Sequence, residues 1–324
     1  MHKPSMGKRP RTEDQEEEPD RRKTHERALF QCARLILPLL HPPDLAATSS
    51  TCKTLHRIAE SVTAGRTSDA SGGLEKLPIP FANAVDGQPY AYFAYTPTQT
   101  LGPGQRRTRP VFDAHGCECE RCDGEAGCPC GGDYSDSGEL ARECGPSCRC
   151  GVECGHRVTQ GGVSVRLRVV KDERKGWGLR AGQLIRRGQF VCEYAGELLT
   201  TKETRRRQQI YDQLTSGGRF CSALLVVREH LPSGKACMRI NIDATRIGNV
   251  ARFINHSCDG GNLSTVLMRS SGALLPRLCF FASRDIQEDE EITFSYGEIR
   301  LKSKGLQCFC GSSSCFGVLP SEST

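Results

Sequence analysis

The 324-residue chain has little from which to build a core by burial alone. Hydrophobic residues make up 37% of it and aromatic residues 6%, with a single tryptophan. No apolar run approaches the ~20 residues that a membrane-spanning helix needs. Met1 to Arg11 is polar and basic with no apolar stretch behind it, so no secretory signal is expected there. A strong charge excess is missing too. The net charge of +6 permits a nucleic-acid-associated partner but does not require one. What the chain has instead is cysteine, nineteen in all. Thiols in such number are disulfides in an oxidising compartment or metal-bound thiolates in a reducing one. The odd count and the missing secretory signal point to a soluble, intracellular protein that holds zinc.

Residues 1–27 form a charged tail, with Lys8-Arg9-Pro10-Arg11, an acidic run from Glu13 to Glu18, and Arg21-Arg22-Lys23. Few apolar residues are available to bury, so disorder is expected. The two basic clusters resemble a bipartite nuclear import signal. Over residues 28–62, Ala28, Leu29, Cys32, Leu35, Ile36 and Leu39 recur at helical spacing. Pro38 and Pro42-Pro43 break the run, and Asp44 is a candidate cap for a second helix carrying Leu45, Cys52, Leu55 and Ile58. The order Leu-Pro…Asp-Leu…Cys-Lys…Leu-His-Arg resembles an F-box-like helical hairpin, which implies a ubiquitin-ligase adaptor as partner. A small accessory helical bundle is the other reading. Residues 63–110, rich in Gly, Pro, Ser and Thr, read as linker, with a short strand where Tyr90, Tyr92, Phe93 and Tyr95 alternate.

Nine cysteines then crowd into one segment: Cys117, Cys119, Cys122, Cys128, Cys130, Cys144, Cys148, Cys150 and Cys154. Almost no apolar side chains lie among them, so the segment must fold by crosslinking or by metal. Cys-x-Cys steps at 117/119, 128/130 and 148/150 suit shared metals better than disulfides. Structural zinc takes four ligands. Nine thiolates fill the twelve positions of three zincs if three of them bridge. Disulfides would need an oxidising compartment that nothing else in the chain supports. The order C-x-C-x-x-C…C-x-C…C-x(3)-C-x-C-x(3)-C resembles the pre-SET module of suppressor-of-variegation (Su(var)) type histone-lysine methyltransferases. That resemblance implies a triangular three-zinc, nine-cysteine cluster over residues 111–160.

Downstream the pattern turns to short strands. Val163, Val165, Leu167 and Val169 alternate with polar residues, as in a half-buried strand. Lys175-Gly176-Trp177-Gly178 follows as a tight turn. With Gly182 it comes near a dinucleotide fingerprint, but the spacing is wrong and no βαβ repeat follows. Phe190 to Tyr194, Ala223 to Val227, Met238 to Ile242, Leu278 to Phe281 and Glu291 to Phe294 read as further strands. Thr200 to Glu203 is a capping box before a helix over 202–214. Arg252-Phe253-Ile254-Asn255-His256-Ser257-Cys258 and Ile292-Thr293-Phe294-Ser295-Tyr296-Gly297 together resemble the SET-domain signature. The expected fold class is therefore mainly β: a SET fold of short curved sheets over 161–299 with a pseudoknot joining these two segments. Zinc-cysteine modules flank it, and a small helical segment precedes it. Asn262-Leu263 with Leu275-Pro276-Arg277-Leu278 is most similar to the plant Su(var)-related branch. In the tail (304–320), Cys308, Cys310 and Cys315 offer three thiols, and Cys258 completes four for a post-SET zinc.

The resemblance implies S-adenosyl-L-methionine and four zincs as cofactors. It assigns Tyr296 to the transfer site, Tyr194 to the lysine channel, and Phe294 to the position that leaves room for di- or trimethylation. Taken singly, the two tyrosines also read as strand residues hydrogen-bonded to backbone. Cofactor contacts are expected from Lys175, Gly176, Trp177, Phe220, Arg252, Asn255, His256 and Tyr296. Two departures stand out. The loop Cys258-Asp259-Gly260-Gly261-Asn262 lacks the usual proline and is one residue longer, which predicts a more mobile loop. Phe220 stands where a tyrosine is usual and cannot donate a hydrogen bond. Cys32, Cys52, Cys192, Cys221, Cys237 and Cys279 are left over and read as buried free thiols. The implied function is methyl transfer to histone H3, at lysine 9, in repressive chromatin of the nucleus, by a monomer that binds no membrane. A catalytically weak chromatin-binding module and an adaptor subunit are the alternatives.

Overall fold

A computed structural model describes residues 21–103, 116–122, 127–130, 140–215, 220–230, 237–297 and 306–320. The basic cluster at Lys8–Arg11 and most of the charged tail lie outside these residues. The chain divides into two compact units, Met1–Thr63 and Ala64–Thr324.

The first unit is helical. Helix α1 spans Arg21–Ile36, so the last residues of the expected disordered tail are already wound. A 3-10 turn over Leu37–Leu39 follows, then α2 over Pro42–Ser49 and α3 over Lys53–Ser68. The run breaks where expected: α1 ends at Ile36, before Pro38, and Pro42 and Pro43 also start the next helix, occupying the first turn of α2, where a missing N–H costs nothing. Asp44 lies in that first turn, and His41 is the N-terminal cap. The single helix expected from Asp44 to Ile58 is split at Ser50–Cys52. Thr48 and Ser50 hydroxyls donate to the carbonyls of Asp44 (2.8 Å) and Ala46 (3.0 Å), and Thr51 to that of Thr48 (2.7 Å). Such bonds compete with helix propagation. Ala33, Leu37, Leu45, Ile58 and Ala59 form the core. Leu29, Leu35, Ile36 and Leu39 remain exposed. Cys32 and Cys52 are exposed rather than buried: Cys32 lies on a solvent-facing side of α1, and Cys52 in the break between α2 and α3.

In the second unit, β1 (Phe81–Ala82) pairs with β5 (Leu167–Asp172), which pairs with β6 (Gly176–Ala181). Strands β2 (Ala94–Tyr95) and β3 (Thr100–Leu101) flank a second sheet built on β8 (Gly196–Leu199) and β10 (Cys237–Gly248), with β9 (Leu224–His230) antiparallel to β10. A third sheet has the order β4 (Ala141–Glu143), β12 (Leu263–Ser270), β13 (Arg277–Ala282), β7 (Phe190–Glu193). Two-residue strands β11 (Asn255–His256) and β14 (Thr293–Phe294) pair in parallel. The mainly β SET fold is thus observed, and the two signature segments lie side by side.

The segment read as linker differs from that expectation over its described part. Ile79, Phe81 and Tyr90 are buried in the main core, and β1, β2 and β3 each pair with a SET strand. Ile79 and Phe81 stand too isolated in the sequence to show a period, yet both are buried in the core. Val163, Val165, Leu167 and Val169 are all buried, as their alternation predicts. Helix α4 covers Thr201–Thr215, and Thr200 Oγ1 accepts from the Glu203 N–H at 3.2 Å. Arg207 fastens α4 to β8 and β10 through Glu197 (2.6 Å) and the fully buried Asp243 (2.7 Å).

Candidate active site and metal centres

The parallel pairing of β11 with β14 sets Asn255 opposite Thr293 and His256 opposite Phe294. Two residues on, the Tyr296 N–H donates to His256 Nδ1 at 3.1 Å, and the Tyr296 hydroxyl donates to the Ile254 carbonyl at 2.7 Å. Nδ1 is therefore an acceptor. The ring hydrogen sits on Nε2, which faces Cys258 Sγ at 3.2 Å. Burial lowers the His256 pKa, so the ring is neutral near pH 7. The Tyr194 hydroxyl donates to the Ala223 carbonyl at 2.9 Å. Each phenol thus has a backbone acceptor, as the structural reading of these tyrosines also required. Burial is the main cause that raises both phenol pKa values well above ordinary tyrosine; at Tyr194 the Arg252 charge opposes it in part, and at Tyr296 neighbouring acidic groups add to it. Both stay protonated donors.

Phe294 lies between Phe280 (4.8 Å between centroids) and Tyr296 (5.0 Å), in a wall that Tyr194 extends from the other side of Phe280. Arg252 is half-buried between Phe93 and Phe253, and its Nη2 donates to the Thr245 carbonyl at 3.1 Å. Its charge faces Tyr194 and Cys221, and burial lowers its pKa.

Lys175 and Asn255 meet on one carboxylate that sequence reasoning did not assign to the site. Glu291 Oε2 is 2.5 Å from Lys175 Nζ, and its Oε1 accepts from Asn255 Nδ2 at 3.0 Å. The partners are 116 residues apart, so no local pattern marks the pair. The turn expected at Lys175–Gly178 lies one step earlier, where Asp172 Oδ1 accepts from the N–H groups of Arg174 and Lys175. Gly176 to Gly178 belong to β6. A Cβ on Gly178 would come within 2.9 Å of Asn255 Nδ2, so this approach requires glycine. Trp177 packs edge-on against Phe81 at 5.2 Å. Phe220 packs on Tyr211 of α4 at 5.2 Å.

The longer loop after Cys258 is held by hydrogen bonds at both ends. Asp259 Oδ1 accepts from Ser257 Oγ (2.6 Å) and the Gly261 N–H (3.0 Å). Asn262 is locked to β14 and to Glu290 and Glu291. Gly261 takes φ +77, and a Cβ there would meet the Thr293 carbonyl at 2.4 Å.

The cysteines gather as metal centres require. Cys117, Cys122 and Cys144 lie 3.7 Å apart pairwise, and Cys130 lies 3.6 Å from Cys148. Cys117, Cys122, Cys128 and Cys144 recur in overlapping four-ligand groups, the pattern that bridging thiolates produce. Cys119, Cys148 and Cys154 pack against them. At the other end Cys258, Cys308, Cys310 and Cys315 bring their sulfurs within 4.8 Å of one another. Burial pushes the Cys310 thiol up, but the backbone at Cys258 and Ser312 and the neighbouring thiols bring it down to about 6. Both donor sets fit tetrahedral zinc. Of the leftover thiols, Cys192 and Cys279 are buried as expected. Cys221 is exposed, in the loop leading into β9, and the Cys237 side chain lies outside the described residues.

Family models match this chain at residues 71–157 (Pre-SET motif) and 176–297 (SET domain). The first match takes in β1, β2 and β3. The chain is 56% identical to the histone-lysine N-methyltransferase SUVR3 of Arabidopsis thaliana, over 91% of this chain and 92% of that one. It superposes on the methyltransferase domain of human SETMAR with a TM-score of 0.65 and 32% identity, covering 79% of this chain and 99% of that one. KRYPTONITE in complex with mCHH DNA, an H3(1–15) peptide and SAH matches with a TM-score of 0.61 and 29% identity, over 78% of this chain and 53% of that one. By its two domain matches and its near relative, the chain belongs to the Su(var)-type family of SET-domain histone-lysine N-methyltransferases.

Proposed function

We propose that this methyltransferase acts on lysine 9 of histone H3, to the di- or trimethyl state, as a nuclear, chromatin-associated monomer. The site supporting this reading is the pairing of β11 with β14, which seats the Tyr296 hydroxyl on the Ile254 carbonyl and its N–H on His256. The H3(1–15) peptide bound by KRYPTONITE spans position 9. S-adenosylmethionine, when bound, supplies a methyl group on a positively charged sulfur. Lys175, Gly176, Trp177, Arg252, Asn255 and His256 would hold it, with Glu291 fixing two of them. We also assign three zincs to Cys117–Cys154 and one to Cys258, Cys308, Cys310 and Cys315, all structural.

A free lysine amine, with a pKa of about 10.4, is neutral in only about one molecule in a thousand at pH 7. The chain's task is to favour that form and to aim its lone pair. The half-buried Arg252 charge beside Tyr194 disfavours a second cation there. The Tyr194 and Tyr296 hydroxyl oxygens and the Ala223 and Ile254 carbonyls can accept the amine hydrogens, which leaves the lone pair free. Such alignment is worth several kcal/mol.

The first test is mass analysis of H3 peptides after incubation with S-adenosylmethionine. The wild type is expected to add two or three methyls to a peptide carrying lysine 9 and none when that lysine is arginine. Phe294→Tyr is expected to stop at one methyl, with the first transfer slowed less than about fivefold, because the new hydroxyl occupies room beside the amine. An unchanged ladder would remove Phe294 from the product-setting role. Glu291→Gln is expected to raise the KM for S-adenosylmethionine about tenfold with kcat little changed, since a charge-assisted bond to Lys175 is lost. An unchanged KM would detach Glu291 from the cofactor site.

A further inference from the structure

Arg277 opens β13 where three parts of the fold meet, and its charge serves no step described so far. Its Nη2 pairs with Glu143 of β4, and its Nη1 lies 3.0 Å from Glu193 Oε2 of β7. The two carboxylates are 0% and 5% exposed, so the guanidinium between them is their only counter-charge among the described residues. Buried charges are tolerated only when paired and fully hydrogen-bonded. Here the remaining lone pairs are met. Thr159 donates its N–H (3.1 Å) and hydroxyl (2.9 Å) to Glu143 Oε2, and Ser270 Oγ donates to Oε1 at 2.8 Å. The Gln99 N–H and the Thr98 hydroxyl donate to Glu193. These donors offset the one negative charge by which two carboxylates exceed one guanidinium.

Each end of the network reaches working machinery through the next residue. Glu143 precedes Cys144, a member of the nine-cysteine cluster. Gln160 Nε2 ties the pair together, donating to Glu143 Oε1 (2.8 Å) and to the Cys144 carbonyl (2.6 Å). Glu193 precedes Tyr194. The Tyr194 N–H donates at 2.8 Å to the carbonyl of Leu278, the residue after Arg277. Arg277 therefore grips the residue before Tyr194 while its neighbour grips Tyr194 itself. A guanidinium fork holds two carboxylates on different strands at fixed angles, whereas an ammonium is a compact point charge that fixes neither angle.

We propose that Arg277 is a positioning residue for the transfer. By bridging Glu143 and Glu193 it sets where the Tyr194 hydroxyl points, and it makes that setting depend on the Pre-SET cluster. The proposal rests on the reading of Tyr194 as a lysine-channel residue.

The test is Arg277→Lys, which keeps the charge and removes the fork, beside Tyr194→Phe. Zinc content, melting temperature, kcat, KM for S-adenosylmethionine and the distribution of methyl products are measured on the full chain. Arg277→Lys is expected to keep its zinc and its cofactor KM within about twofold. It is expected to lower kcat at least tenfold and to shift products toward monomethyl, as Tyr194→Phe also should. A role in stability alone would lower the melting temperature without moving the product distribution. Wild-type kcat and product distribution in a folded Arg277→Lys, while Tyr194→Phe alters both, overturn the positioning role and leave the Tyr194 reading standing. No effect of Tyr194→Phe overturns both. If Arg277→Lys does not fold, Glu143→Gln decides. It keeps the shape and weakens only the cluster end, and it is expected to shift products in the same direction; an unchanged distribution overturns the proposal.

Discussion

Tyr296→Phe is expected to lower kcat about 10²–10³-fold while leaving the fold intact. The figure is the usual loss when one preorganised polar group is removed from a site where charge is redistributed. The argument runs through the hydroxyl alone. Its hydrogen is committed to the Ile254 carbonyl at 2.7 Å, so its lone pairs are left facing outward as acceptors. The phenyl ring that remains keeps its contacts with Phe294 at 5.0 Å and His256 at 5.2 Å, and the backbone N–H keeps its bond to His256. Loss of one hydrogen bond to a carbonyl costs on the order of 1 kcal/mol. In a domain of this size that amounts to a few degrees of melting temperature. The test is single-turnover methylation of an H3 peptide at saturating S-adenosylmethionine, with a thermal melt alongside. A rate within threefold of wild type would take Tyr296 out of the transfer step and favour the reading in which it is only a satisfied strand tyrosine.

The legible parts of this molecule are those whose logic is local or countable. Nine cysteines in a fixed order mark a metal cluster wherever the chain goes between them. The Asn255–Cys258 and Ile292–Gly297 segments each carry their own pattern, and their pairing was expected from the resemblance. The alternation of Val163 to Val169 marks the buried side because side chains point alternately in and out, although the strand itself starts only at Leu167. What stayed hidden is long-range or sporadic. Glu291 looks like one acid among several until Lys175 and Asn255 arrive on it from elsewhere. Ile79, Phe81 and Tyr90 fill the core from a stretch whose composition reads as linker, since isolated apolar residues have no period. Arg277 was singled out as part of a branch-specific string, but nothing local shows that it faces two buried acids. Cys221 was misread because an apolar neighbourhood in sequence is not an apolar neighbourhood in space.

Stripping the zinc is expected to abolish activity in two steps, the tail site first. The reason is what surrounds each set of thiols. Three of the four tail thiols, Cys258, Cys310 and Cys315, are half-buried and only Cys308 is buried, whereas six of the nine cluster thiols are buried and only Cys119, Cys148 and Cys154 are half-buried. A chelator in mild excess should take one zinc and raise the KM for S-adenosylmethionine. Cys258 is the acceptor that fixes His256 Nε2 at 3.2 Å, and Phe309, between two tail ligands, lies under the Arg174 guanidinium at 4.4 Å beside the Lys175–Gly178 segment. Cys258→Ser should reproduce this first step without chelator. Harsher treatment should then release three more zincs and end catalysis, by at least a hundredfold. The second loss is the larger because the buried cluster in that segment consists of cysteines alone. With the metal gone, the described residues of the segment have little apolar surface beyond Ala141 to hold them together. Structural zinc supplies roughly 10–16 kcal/mol in small modules of this kind, which such a segment cannot replace by burial. Protease cleavage between residues 116 and 157 should appear only with the second step. Zinc release is counted with a colorimetric indicator while activity and cleavage are followed in parallel. Full activity in the zinc-free protein would refute the structural assignment. Release of all the metal in one cooperative phase would refute the separation of the two sites and make the tail and the cluster a single folding unit.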